Sequence, residues 1–202
     1  MILQAIQELI PVSEVHLIWS ERHEPERRLL IDQFPEAKHY EPLWKQGVSS
    51  RHRDITARGL LGGGQVSLSL THIMILNNLT DGYNLILESD ACINVDKLHT
   101  LSGFPNYDVA WLDYQTVNEF RTGRPFTPEC KWSVPIMPLR THALLIHSRA
   151  AEKLLSRMTI LNKPYDWELK DAVRGLKWGG HRGAFGWIDY GKSNIMNNGI
   201  KV

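Results

Sequence analysis

Short apolar runs alternate along this chain with longer segments of helical periodicity. The apolar runs have the length and composition of buried strands and lie at residues 15–19, 84–87, 108–112, 142–146 and 184–188. Segments whose apolar residues recur every three or four positions lie at residues 2–10, 26–34, 65–79, 149–157 and 166–176. Strands that alternate with helices are typical of α/β proteins. We therefore predict an α/β fold with a mixed central sheet flanked by helices.

No internal repeat and no linker rich in proline, glycine or serine divides the chain. We predict a single domain over residues 1–202, with residues 1–13 as a short helical extension before the first strand. Residues 42–64 lack periodicity and predict a long loop, and five prolines predict an irregular region between residues 103 and 139. Ser148 directly precedes a predicted helix, so we expect it to be the N-cap of that helix.

Composition and charge argue against several classes of protein. The chain carries 23 Lys and Arg residues against 22 Asp and Glu residues, a balance that argues against nucleic-acid binding. No apolar stretch approaches the roughly 20 residues that a transmembrane segment needs, and the first residues lack the basic start of a signal peptide. Two cysteines, Cys92 and Cys130, cannot build a disulfide framework. We expect a cytoplasmic protein, with peripheral attachment to a membrane as an alternative.

The most informative stretch for chemistry is LILESDACIN, residues 85–94. Its carboxylates Glu88 and Asp90 directly follow an apolar strand, and ligands of open α/β sheets collect at the carboxyl ends of strands. Mg²⁺ and Mn²⁺ favour carboxylate oxygens and commonly share them with phosphate oxygens of a substrate. The spacing therefore indicates a site for a divalent cation. The alternative is that both acids solvate the end of the strand or cap a turn.

Three other features allow both a functional and an ordinary interpretation. The basic residues Lys45, Arg51, Arg53 and Arg58 could approach a diphosphate, or they could lie on a solvated loop. The glycines at residues 62–64 lack the spacing of a phosphate-binding loop and favour a flexible turn. Residues 177–183 (KWGGHRG) predict either a loop that closes over phosphate or a surface turn.

Residues 63–94 resemble the signature segment of glycosyltransferase family 25, which includes lipooligosaccharide and collagen galactosyltransferases. The signature of the family contains a glycine, then Ser-His within a helix, and then an apolar strand that ends in Glu-Asp-Asp. Here Gly64 matches the glycine, Thr71-His72 stands at Ser-His, and Glu88-Ser89-Asp90 stands at Glu-Asp-Asp.

The resemblance extends in order to other parts of the chain. Residues 15–28 are similar to the family's first strand and basic pair, where Arg27 or Arg28 matches the basic position. Residues 141–158 are similar to a strand and helix of the family, and residues 163–166 (KPYD) match its Pro-x-Asp. The specific stretches of the resemblance are residues 64–94 and 141–166.

The resemblance implies a GT-A fold, which is Rossmann-like, and transfer of a hexose such as galactose from a UDP-sugar, with Mn²⁺ or Mg²⁺, to a glycan or lipid-linked acceptor. It implies Asp90 and Glu88 as metal ligands, with Glu88 also close to the sugar and His181 as a late residue that completes the metal shell. The residues it places at the nucleotide site are His72, Arg27 and Ser89, and Arg58 of the basic loop is a further candidate for contact with the diphosphate. Asp166 would be the base for the acceptor hydroxyl in an inverting transfer, because a carboxylate must reach that proton.

Ser89 departs from the family pattern and keeps two other functions open. A hydroxyl coordinates a divalent cation less strongly than a carboxylate does, so the chain could instead be a non-catalytic descendant that binds nucleotide sugars or glycans. A third interpretation is a different metal-dependent enzyme that acts on phosphorylated substrates. Without the resemblance, His72 is expected to be a satisfied helix histidine.

Overall fold

The computed structural model of the chain describes residues 2–20, 28–42, 56–57, 63–122, 129–136, 138–161 and 163–188. The strands, in chain order, are β1 Val12–Ile18, β2 Lys38–Tyr40, β3 Thr56–Ala57, β4 Tyr83–Glu88, β5 Ala91–Ile93, β6 Val109–Trp111, β7 Gln115–Thr116, β8 Trp132–Ser133, β9 Pro138–Leu139, β10 Ala143–His147, β11 Ile160–Leu161, β12 Trp178–His181 and β13 Phe185–Trp187. The α-helices are α1 Ile2–Gln7, α2 Leu29–Gln33, α3 Gly63–Leu76, α4 Val117–Thr122, α5 Ala151–Arg157 and α6 Tyr165–Ala172. Two 3₁₀ helices cover Val95–Leu101 and Ser148–Ala150.

Seven of these strands form one mixed sheet in the order β2-β1-β4-β10-β6-β12-β8. Strands β2, β1 and β4 are parallel neighbours, and β12 runs parallel to β6. Strand β10 lies between β4 and β6 and is antiparallel to both, and β8 is antiparallel to β12. The predicted α/β class with a mixed central sheet is therefore confirmed, and the arrangement is consistent with a Rossmann-like fold.

Both faces of the sheet are covered, which explains why its central strands are apolar without alternation. All six residues of β4 are buried. Successive side chains of a strand point to opposite faces, so Leu85 and Leu87 pack into one core with α1 and α2. Ile86 instead packs into a second core, to which α3, α5 and α6 contribute. The helix-forming periodicity of the sequence thus supplies two layers around one sheet.

The strand directions bring several polar segments to one edge of the sheet. The carboxyl ends of β4, β6 and β12 lie at this edge, and the amino end of the antiparallel β10 lies there too. We call it the carboxyl edge. Residues that directly follow β4 and β6, and those that directly precede β10, are therefore neighbours despite their separation in sequence.

The structure differs from the sequence predictions at several places in the fold. Gly63 and Gly64 are the first residues of α3 and not a flexible turn. Residues 177–183 form neither a phosphate loop nor a surface turn, because residues 178–181 are strand β12 and residues 179–183 are buried. Ser148 is not the N-cap of α5: the side chain of His147 caps this turn by accepting from the Arg149 N–H, and Ala150 precedes α5. The Ser148 hydroxyl donates to Asp81 instead.

None of the helices in the described part of the chain has the length and the apolar character that crossing a membrane requires.

Gly179 in β12 lets the ring of Tyr107 lie against the strand. A Cβ atom at this position would overlap the Tyr107 ring, which is itself buried. We expect Gly179→Ala to lower the free energy of unfolding by about 1–3 kcal/mol, the usual cost of overpacking. Urea unfolding measures it, and the same substitution in a Tyr107→Leu background should cost clearly less. An equal cost in both backgrounds would contradict steric overlap as the cause.

Asp108 joins three segments at the edge opposite the carboxyl edge. Its carboxylate accepts from the Arg149 Nε at 2.5 Å and from the Lys177 N–H at 2.8 Å. Burial acts to raise the pKa of Asp108, but these two donors outweigh it and hold the pKa below its ordinary value. A carboxyl whose folded pKa is depressed contributes stability that is present above its unfolded pKa and lost as pH falls through the folded pKa.

We therefore expect Asp108→Asn to lower the free energy of unfolding by about 1 kcal/mol at pH 7. The difference from the wild-type protein should shrink as pH falls below about 4, the ordinary pKa of aspartate. Urea unfolding at a series of pH values measures both, with Asp96→Asn as the control because the Asp96 side chain is exposed. A pH-independent difference would contradict the ionic origin.

Candidate metal centre at the carboxyl edge

Three side chains that can bind a metal ion converge at the carboxyl edge. Glu88, Asp90 and His142 each offer one ligand atom, and these three atoms lie within 4.8 Å of one another. Glu88 is the last residue of β4, Asp90 lies in the turn that follows, and His142 directly precedes β10. The predicted pair of carboxylates is thus accompanied by an imidazole that the sequence did not single out.

The antiparallel register of β10 places His142 at this site. Ala143 pairs with Leu87, so the next residue of each strand, His142 and Glu88, come side by side. The Glu88 N–H donates to the His142 carbonyl at 2.9 Å and fixes this approach. Fifty-three residues of sequence separate Thr141 from Glu88, yet their side chains form a hydrogen bond.

Glu88 is buried and held by donors on two elements. Its Oε1 accepts from the Thr141 hydroxyl at 2.5 Å and lies 3.1 Å from His72 Nε2 on α3. Burial acts to raise the pKa of Glu88, but the hydrogen bond with His72 and the charge of His142 outweigh it and lower the pKa. Glu88 is therefore an ionised carboxylate, and its second oxygen lies 3.9 Å from His142 Nδ1.

His72 supports this arrangement from behind the site. Its side chain has no exposed surface, and its ring stacks on the ring of Tyr165 with centroids 3.9 Å apart. A side chain so enclosed cannot touch a nucleotide directly in this conformation. Its contact with Glu88 gives it a positioning role, which is a narrower role than direct nucleotide binding.

His142 forms the closest ion pair of the cluster. Its Nδ1 donates to Asp90 Oδ1 at 2.8 Å. Burial acts to lower the pKa of His142, but Asp90, Glu88 and Asp113 outweigh it and raise the pKa to about 9. The imidazole is therefore protonated at neutral pH, and a metal ion that takes this nitrogen displaces a proton.

A second layer of charge surrounds the cluster at the same edge. Asp113, two residues after β6, is fully buried, and neither of its carboxylate oxygens has a hydrogen-bond partner among the described residues. Burial raises the pKa of Asp113, and His142, Arg140 and Arg182 oppose that rise through their charge. Arg182 is bonded through Nη2 to both carboxylate oxygens of Glu119.

Asp166 joins the site through the backbone of Arg140. Its Oδ2 accepts from the Arg140 N–H at 3.3 Å, and its Oδ1 accepts from the Trp167 N–H at 2.9 Å. Burial raises the pKa of Asp166, and the charge of Glu88 adds to this rise. Asp166 thus lies in the first turn of α6 as a carboxyl group with an increased affinity for a proton.

The structure does not bring His181 to the three-residue cluster. Its Nε2 bonds with the Thr100 carbonyl at 3.0 Å, and its ring packs against Trp132. It ends β12, which is three positions from β4 in the sheet, about 14 Å at ~4.8 Å per strand. His142, from the strand next to β4, occupies the position that we assigned to His181.

The remaining predicted residues lie in different parts of the chain, and the structure describes only some of them. Ser89 lies in the turn between Glu88 and Asp90, within the site region. Arg27 and Arg58 lie outside the described residues, as do Lys45, Arg51 and Arg53. Arg28, the alternative to Arg27, precedes α2. Of the tryptophans, Trp111 is fully buried in the core, and Trp187 beside His142 is 38% exposed.

The donor set fits a divalent cation that accepts both oxygen and nitrogen ligands. Two carboxylates and one imidazole suit Mn²⁺, and carboxylates with substrate oxygens suit Mg²⁺. Glu88 is oriented by His72 and Thr141, as metal ligands commonly are by their own hydrogen-bond partners. The observation that supports the fit is that three ligand atoms from different parts of the sequence lie within 4.8 Å of one another.

The chain was compared with models of protein families and with curated protein sequences. No protein-family model matches the chain, and no curated protein sequence matches it significantly. Function is therefore inferred below from the chemistry of the carboxyl edge.

Proposed function

We propose that the protein is a metal-assisted glycosyltransferase of the family 25 kind, with a GT-A fold, that transfers a hexose from a UDP-sugar to a glycan or lipid-linked acceptor. The observation that carries this proposal is the Glu88-Asp90-His142 cluster. It lies at the carboxyl edge of a Rossmann-like sheet, and two of its members fall in the segment that resembles the family's Glu-Asp-Asp strand.

The described residues support distinct roles in such a transfer. Glu88, Asp90 and His142 would hold Mn²⁺ or Mg²⁺, which when bound supplies positive charge to neutralise a diphosphate leaving group. His72 and Thr141 keep Glu88 in place through their hydrogen bonds. Asp166 acts as the base for the acceptor hydroxyl in an inverting transfer, since its raised pKa improves proton acceptance near neutral pH.

Calorimetric titration of UDP into the purified protein, with and without Mn²⁺, tests the proposal. We expect binding that depends on the metal, because the diphosphate and the carboxylates share the cation. Uridine is the matched ligand without phosphates, and it should bind far more weakly and ignore the metal. Absence of UDP binding under both conditions would overturn the proposal of a nucleotide-sugar site.

Ser89 favours a second candidate, a non-catalytic protein that binds nucleotide sugars. It replaces one carboxylate of the family pattern with a hydroxyl, which reduces the negative charge available to a metal. A binder of this kind would show affinity for UDP-sugars without releasing UDP. A donor-hydrolysis assay on UDP-galactose and other UDP-hexoses separates the two candidates, because the transferase should release UDP slowly even without an acceptor.

A further inference from the structure

The backbone of Arg140 adopts a left-handed conformation, which is energetically unfavourable for a residue with a Cβ atom. Its φ is 74°, in the left-handed region that residues with a Cβ rarely occupy. Such strain persists where the surrounding structure holds the residue, and it is commonest at functional sites. The Arg140 N–H donates to Asp166 and the next two residues lead into β10, so the conformation sets the direction in which the guanidinium leaves the chain.

The guanidinium of Arg140 packs on the Trp187 ring, but one of its nitrogen atoms forms no hydrogen bond with the described residues. Its Cζ lies 4.6 Å from the centroid of the Trp187 ring, a cation–π distance. The ring of His142 also stacks on Trp187, at 6.0 Å. Within the part of the chain that the structure describes, the buried Nη1 of Arg140 has no hydrogen-bond partner. Buried donors in proteins are nearly always bonded, so this atom calls for a partner.

The group that fits the partly buried Arg140 guanidinium is an anionic oxygen of a ligand. Asp113 interacts with Arg140 through its charge, but its carboxylate forms no hydrogen bond with the Arg140 guanidinium. Arg182, which is buried at the same edge, bonds both oxygens of Glu119 and also pairs with Glu129. Guanidinium groups recognise phosphate oxygens well, because their N–H groups form a planar array of donors. Within the described part of the chain Arg140, unlike Arg182, forms no ion pair with a carboxylate, and its side chain is only partly buried, so its guanidinium can serve an anionic ligand.

We propose that the partly buried guanidinium of Arg140 binds a phosphate oxygen of the diphosphate of the nucleotide donor, beside the Glu88-Asp90-His142 cluster. This inference rests on the proposed function and adds to it the residue that holds the leaving group. The left-handed backbone of Arg140 and the Trp187 ring fix the guanidinium before the ligand binds. Binding therefore costs less side-chain conformational entropy.

A purely structural role for Arg140 makes different predictions. A buried water that bridges Arg140 and Asp113 would also satisfy both groups. In that case substitutions at Arg140 would change the stability of the fold and leave the affinity for phosphates unchanged. The two roles are therefore separable by measuring stability and anion affinity on the same variants.

The variants Arg140→Gln and Arg140→Gly test the inference together. Glycine adopts a φ of 74° without strain, so Arg140→Gly removes the guanidinium and should keep the melting temperature at or above that of the wild type. For both variants we expect affinity for inorganic pyrophosphate in the presence of Mn²⁺ to fall about 10- to 100-fold, the usual effect of losing one charged hydrogen-bonding partner. Affinity for Mn²⁺ alone should not fall, because Arg140 is not a ligand and removal of its positive charge removes repulsion of the cation.

Arg149→Gln is the matched control, since Arg149 follows the other end of β10 and binds Asp108. It should leave pyrophosphate affinity unchanged. Pyrophosphate affinity retained in both Arg140 variants would overturn the inference, whatever happens to stability. If the wild type binds Mn²⁺-pyrophosphate but not UDP, the proposed function fails and the Arg140 comparison still decides this inference. If the wild type binds neither, both are overturned.

Discussion

Asp90→Asn is expected to abolish metal-dependent binding of UDP while the protein stays folded. Asparagine keeps the shape of aspartate and an oxygen that can accept from His142 Nδ1, now 2.8 Å from Asp90 Oδ1. It removes the negative charge that draws a divalent cation to this position. Loss of a partner that only orients a ligand costs about 10- to 100-fold in metal affinity, so loss of a ligand should cost at least about 100-fold.

The measurement is calorimetric titration of Mn²⁺, and then of UDP, into the wild type and the variant. Asp96→Asn is the control, because Asp96 is an exposed acid a few residues along the same segment and lies outside the cluster. Its metal affinity should match the wild type. If Asp90→Asn binds Mn²⁺ within a few-fold of the wild type, Asp90 is not a ligand and the centre has been misassigned.

Asp166→Asn should leave binding of the UDP donor intact and reduce transfer to the acceptor by about 10²- to 10⁴-fold, the usual contribution of a general base. Asparagine retains an oxygen that can accept from a backbone N–H, so the start of α6 should be preserved. It cannot accept the proton of the acceptor hydroxyl. The expected signature is a fall in kcat with little change in donor affinity.

Asp171→Asn on the same helix is the control for this experiment. The Asp171 carboxylate forms surface ion pairs, chiefly with Lys163, and has no contact with the cluster residues. Its transfer rate should equal that of the wild type. Unchanged transfer by Asp166→Asn would remove Asp166 as the base and would favour a retaining course or another proton acceptor.

The sequence predicted the elements that carry their own apolar signal. Strand β4 is buried on both faces at the centre of the sheet, and its run of apolar residues was recognisable for that reason. Strand β12 was missed because residues 178–181 (WGGH) contain two glycines and little apolar surface. Its burial comes from its neighbours: the rings of Tyr107 and Tyr114 occupy the space where side chains at Gly179 and Gly180 would lie.

The candidate site was predicted where its residues are adjacent in sequence and missed where they are brought together by topology. Glu88 and Asp90 follow one strand, so their proximity needed no knowledge of the sheet. His142 joins them because β10 runs antiparallel between β4 and β6, and no local feature of residues 142–146 specifies that neighbour. The same topology leaves His181 three strand positions away.

The position of β10 also has a consequence for synthesis of the chain. Glu88 and Asp90 leave the ribosome more than fifty residues before His142, so a growing chain holds two carboxylates without the imidazole that completes the cluster. If the cluster binds a divalent cation as proposed, high-affinity capture has to wait until β10 has inserted between β4 and β6. Metal affinity at the proposed centre would therefore indicate completed folding, because a chain truncated before β10 would keep both acidic residues and lack the imidazole of His142.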